Sequence, residues 1–64
     1  MHTWSVRLTY SEGYGDGIIN QTYYVYAEND IEAIDKALNS FYSEFGLNFN
    51  DDIENIDWEY CRVY

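Results

Sequence analysis

Residues 48–60, NFNDDIENIDWEY, hold five carboxylates, Asp51, Asp52, Glu54, Asp57 and Glu59, and no basic side chain. Three kinds of chemistry suit such a run: oxygen ligation of a hard cation, a display of charge to a protein that reads nucleic-acid phosphates, or plain solvation of an edge. Calcium fits worst. Asn48, Asn50, Asp52 and Glu59 stand at the first, third, fifth and twelfth places of a calcium loop, but the sixth, which needs glycine for its sharp turn, is Ile53. The twelfth also falls within a predicted strand rather than at a helix start.

Covalent and acid–base chemistry find little support. His2 is the only histidine and Cys61 the only cysteine. The predicted fold puts no histidine near the thiol, the surrounding acids would disfavour its thiolate, and a paired Asp57 and Glu59 would need a cleft that so short a chain has little material to build. Gly13, Gly15 and Gly17 do not match a phosphate-cradling spacing, and Glu12 and Asp16 between them would repel phosphate. The expectation is a non-enzymatic protein without cofactor or metal.

Charge presentation is better supported. Twelve acidic residues face three basic ones, for a net charge of −9. Such an excess costs stability through self-repulsion, repels nucleic acid and anionic membrane, and steers the chain towards basic surfaces. On a strand, Asp57 and Glu59 lie about 6.6 Å apart on one face, and one strand of duplex DNA carries a charge every ~3.4 Å of axis. The pair can therefore imitate alternate phosphates. Asp51, Asp52 and Glu54 extend the row from the preceding loop, and Glu28, Asp30, Glu32 and Asp35 form a second cluster.

The elements that must position these groups are legible from periodicity. Acidic disordered chains are poor in aromatics, whereas eight Tyr, three Phe and two Trp make up 20% of this one. Residues 3–10, TWSVRLTY, alternate strictly and predict a half-buried strand with Trp4, Val6, Leu8 and Tyr10 inward. SEGYGDG predicts a hairpin loop, and residues 18–27, IINQTYYVYA, a second strand with Tyr23, Val25 and Ala27 on one face and Thr22, Tyr24 and Tyr26 on the other. A helix follows. Asn29 can cap the Glu32 amide in a capping box, Ile31, Ile34, Leu38, Phe41 and Phe45 form an apolar stripe with Ala37 alongside, and Gly46 ends it. After a polar loop, residues 56–64, IDWEYCRVY, read as the last strand.

These elements predict one small domain over residues 1–64. Its class is α+β, a ββαβ chain with a three-stranded antiparallel sheet in order 2-1-3 and the helix on one face. Right-handed crossovers favour this arrangement. Nothing remains to cover the other sheet face, so Tyr24 and Tyr26 are expected to lie open there as interface candidates. Tyr10 and Tyr23 serve as core filler. Either Trp58 and Tyr60 or Cys61 and Val63 can face the helix.

TWSVRLTYSE, YVYAENDIEAIDKAL and YCRVY together resemble the small phage-encoded inhibitors of bacterial RNA polymerase. The shared elements are a Trp early in the first strand, Tyr26-Ala27-Glu28 ending the second, Glu32-Ala33 at the helix start, and Arg62-Val63 in the last strand. The resemblance covers roughly two-thirds of the chain and implies a hairpin–helix–strand fold. It further implies a host-takeover protein that binds polymerase through charged residues of its sheet, Arg62 among them, and blocks DNA loading. Tyr64 stands where the family has a second arginine, and the glycine loop is longer.

The combined expectation is a phage-type acidic inhibitor acting in the cytoplasm of a bacterial host. Its partner would be a host protein with a basic nucleic-acid-handling site: RNA polymerase, a restriction enzyme or a CRISPR effector. As a DNA mimic it would use Asp51, Asp52, Glu54, Asp57 and Glu59, with Glu28, Asp30 and Glu32, and Tyr24 and Tyr26 as anchors. It would bind neither nucleic acid nor membrane directly: no apolar run reaches spanning length, and Met1-His2-Thr3 opens no signal peptide. The alternative is a structural or adaptor protein that homodimerises through its uncovered sheet face.

Overall fold

Strict alternation in the first apolar run sets the architecture. The computed structural model describes residues 1–11 and 18–63. Strand β1 (His2–Tyr10) buries Val6, Leu8 and Tyr10 on one face and leaves Arg7 exposed on the other. Strand β2 (Ile19–Ala27) pairs antiparallel with it, placing Trp4 beside Val25, Val6 beside Tyr23 and Tyr10 beside Ile19. The glycine-rich connection expected between them lies outside the described residues.

Helix α1 (Asp30–Phe45) follows almost at once. Asn29, with extended backbone, accepts the Glu32 amide at 2.9 Å, and Asp30 and Glu32 place negative charge in the first turn, where the helix dipole favours it. The second arm of the expected capping box is replaced by an ion pair. Glu32 turns along the helix to Lys36 at 3.2 Å. Gly46 ends the helix at φ 66°, its amide donating to the Tyr42 carbonyl. Only glycine takes this left-handed conformation without strain.

The buried line of α1 differs from the expected stripe. Ala33, Ala37 and Phe41 are fully buried and Leu38 nearly so, whereas Ile31 is 76% exposed. At 100° per residue, Ile31 stands about 120° around the axis from Ala37, on the flank of the buried line that it shares with Leu38, but it lies in the first turn, and that flank is covered only at Leu38's level of the helix. The two alanines bring the helix close to the strands, and Phe41 fills the centre with Tyr23 and Phe45 edge-on at 6.4 and 5.1 Å. Deleting its ring would cost about 3–5 kcal/mol, most of the stability so small a domain has.

Residues 49–55, expected as loop, are instead helical turns. Helix α2 (Phe49–Asp52) and a 3₁₀ turn (Ile53–Asn55) lead into strand β3 (Ile56–Arg62). Leu47 and Ile53 pack onto the core, and Ile56 is buried within it. Strand β3 pairs antiparallel with β1, giving one sheet in order β2-β1-β3 with α1 on one face: the α+β, ββαβ arrangement. Burial of Ile56 decides the parity of β3. Trp58, Tyr60 and Arg62 lie on the helix side, opposite Leu8, Val6 and Trp4, while Asp57, Glu59 and Cys61 lie on the open side.

Candidate interaction surface

Among the described residues, the face of the sheet opposite α1 has no second layer. Across it run four rows: Tyr26, Thr3 and Val63; Tyr24, Ser5 and Cys61; Thr22, Arg7 and Glu59; Asn20, Thr9 and Asp57. Tyr24 and Tyr26 are 72% and 66% exposed, as alternation along β2 requires. Ser5, Arg7, Thr22, Tyr24, Glu59 and Cys61 border a shallow depression of about 380 Å³. It is open to solvent.

Arg7 decides the charge of this face. Its guanidinium lies between Thr22 and Glu59 in register, yet its Nε donates to Asn20 Oδ1 on β2 at 3.2 Å. The cation leans towards β2 and away from β3. Among the described residues neither Arg7 nor Arg62 comes within ion-pair distance of a carboxylate, and Lys36 is taken by Glu32. Asp57 and Glu59 are exposed on one face of β3 and form no ion pair with a described residue, although Arg7 is the cross-strand neighbour of Glu59.

Nearly the whole of β3 is open on both sides. Beyond Ile56 every residue to Val63 is exposed. On the helix side Trp58 is 42% and Tyr60 46% exposed, because α1 lies over β1 and β2 and leaves the flank of β3 uncovered. Tyr60 packs against Trp4 at 6.3 Å, and Trp4 Nε1 donates to the Ala27 carbonyl at 3.0 Å. A hydrogen bond to Asp30, together with that carboxylate's charge, raises the Tyr60 pKa above its ordinary value.

The remaining acids divide by role. Asp52 is structural: its carboxylate takes the Tyr10 hydroxyl at 3.2 Å and the Asn48 amide at 2.7 Å. Asn48 in turn accepts the Asn50 amide at 2.9 Å. Three residues of the imagined calcium loop thus bind one another, and the fourth, Glu59, belongs to the sheet. No cluster of three metal-ligating side chains exists among the described residues. Glu44 accepts the Tyr23 hydroxyl at 2.7 Å; burial and then this carboxylate push the Tyr23 pKa up to about 12. Asp51 and Glu54 stay exposed in the turns just before β3.

The two acidic clusters do not form one surface. Ala27 pairs with His2 and Ile56 with Tyr10, at opposite ends of β1, so Glu28 leaves the sheet at one end while Asp51 and Glu54 precede its strand at the other. Asp57, Glu59, Asp51 and Glu54 share one end, with Tyr24 and Tyr26 diagonally across the open face. Arg62 projects on the helix side beside Trp4. The sequence leaves open which pair of β3 faces the helix and carries no signal that Trp58 and Tyr60, on the helix side, stay half-exposed. Among the described residues no helix is long and apolar enough to cross a membrane. No protein-family model, curated protein or solved structure matches the chain.

Proposed function

We propose that this chain is a non-enzymatic acidic inhibitor of phage type that occupies a basic, nucleic-acid-handling site on a host protein. The supporting observation is the exposed acidity of β3 and its approach, which no close ion pair offsets among the described residues. Asp51, Glu54, Asp57 and Glu59 are displayed together while the nearest cation, Arg7, is held by Asn20. A soluble edge has no need of this separation, because mixed charge keeps a surface soluble at lower electrostatic cost. The spacing of Asp57 and Glu59, about 6.6 Å along one strand face, suits contacts built for alternate phosphates. In this reading the target is RNA polymerase, as the resemblance of the sequence to polymerase inhibitors implies, or a restriction enzyme or CRISPR effector, in a bacterial cytoplasm.

The test is retention of bacterial lysate proteins on the immobilised chain at low salt, followed by a salt step. A nucleic-acid enzyme should elute with salt and be absent from a column of the Asp51→Asn, Glu54→Gln, Asp57→Asn, Glu59→Gln variant. Retention that ignores both salt and neutralisation contradicts the proposal.

A second reading rests on Tyr24 and Tyr26, whose rings stand exposed side by side on the uncovered face. In it, two copies dimerise through this face and the acidity only solubilises. Sedimentation of the wild type and of Tyr24→Ser with Tyr26→Ser separates the readings. A chain monomeric at high concentration ends the second.

A further inference from the structure

The outer edge of β3 offers a second kind of availability, set by the phase of its ladder. Val63 donates to the Thr3 carbonyl at 2.8 Å, and Ser11 donates to the Asn55 carbonyl at 3.1 Å. Bonded pairs in an antiparallel ladder recur at every second residue, so Asp57, Glu59 and Cys61 direct their main-chain groups towards β1. Trp58, Tyr60 and Arg62 direct theirs outward. No described residue bonds their amides; the Arg62 carbonyl accepts the Cys61 thiol at 3.6 Å.

The other edge of the sheet differs. The same phase turns the main chain of Tyr26 outward on β2, and Lys36 Nζ donates to its carbonyl. From α1 this lysine occupies an outward main-chain acceptor of β2, and a lysine at a sheet edge hinders strand addition. Strand β3 lacks that guard: its neighbours are carboxylates on one face and two aromatic rings on the other.

We propose that the free edge of β3 accepts an extended, lysine- or arginine-bearing segment of a partner protein as a fourth strand. This rests on the basic-partner reading and specifies its geometry. Charge selects the occupant. An added strand places alternate side chains beside Asp57 and Glu59, where basic residues pair across strands, and the others beside Trp58 and Tyr60. A second copy is disfavoured, because joining two β3 edges brings like-charged Asp57 and Glu59 together in chains that each carry −9.

Two blocked peptides serve as probes, both seven residues long to match Ile56–Arg62. One alternates lysine and threonine; the other alternates lysine and proline, with the same charge but no capacity to pair as a strand. Binding of the lysine–threonine peptide alone, with slowed hydrogen exchange at the Trp58, Tyr60 and Arg62 amides, supports strand addition. Tyr60→Pro should then bind it about tenfold more weakly than Tyr60→Ala, the worth of one main-chain hydrogen bond. Both variants lose the ring, and the exchange measurement on wild type needs neither to fold. Equal binding of the two peptides without amide protection overturns strand addition while leaving the basic-partner reading intact. Failure of both peptides overturns strand addition, and the lysate column judges the wider reading separately. Amide protection that grows with the protein's own concentration overturns it in favour of a second copy.

Discussion

At the scale of single residues, the same side-chain type does opposite jobs according to what it touches. Asp52 closes a turn by holding Tyr10 and the Asn48 amide, whereas Asp51 beside it faces solvent. Asp52→Ala should therefore destabilise the fold by about 1–3 kcal/mol, and Asp51→Ala by no more than ~0.5, measured by urea denaturation. The tyrosines divide likewise. Tyr23 has its pKa raised from 10.0 to about 12 by burial and by Glu44, so the fold favours the protonated phenol. Its contribution to stability is complete below pH 10 and is lost as pH rises through about 12. Tyr23→Phe should lose less stability across that window than the wild type in denaturation series at successive pH values. None of this was legible in the sequence: the acids read as one row because nothing local says which carboxylate a distant hydroxyl will claim.

At the scale of elements, short-range signals carried most of the fold. Strict alternation in TWSVRLTY, the Asn29 cap and the Gly46 stop each act within a few residues, and each element they mark is present. The errors arose where packing decides. Ile31 looks like part of the helix stripe, yet Ala33 and Ala37 set the contact line and leave it in solvent. Ile31→Ala should cost no more than ~0.5 kcal/mol, while Phe41→Ala should cost about 3–5 and unfold much of the population, as circular dichroism would report. Residues 48–55 read as loop because their apolar residues are too few for a period. Leu47 and Ile53 become helical-turn anchors only once a core exists to receive them. The parity of β3 was open for the same reason, since apolar side chains occupy both of its faces. Strand addition belongs to this scale too, because a free edge is a property of topology and not of any residue.

At the scale of the whole molecule, −9 of net charge on 64 residues is a standing cost. Added salt should raise the melting temperature, and Asp57→Asn with Glu59→Gln should raise it at low salt, since both relieve self-repulsion. In the proposed account that cost is retained because binding needs the charge, so the same double substitution should weaken partner binding as it strengthens the fold. The sequence displayed the charge imbalance plainly; it could not show that Arg7 leans away from Glu59 or that the two clusters lie at opposite ends. The measurement closest to the central claim is competition between this protein and duplex DNA for the lysate protein it captures. The account predicts mutual exclusion: rising DNA displaces the wild-type chain, and neutralising Asp57 and Glu59 lowers the DNA needed. Simultaneous binding of DNA and this chain, each with undiminished affinity, would contradict it.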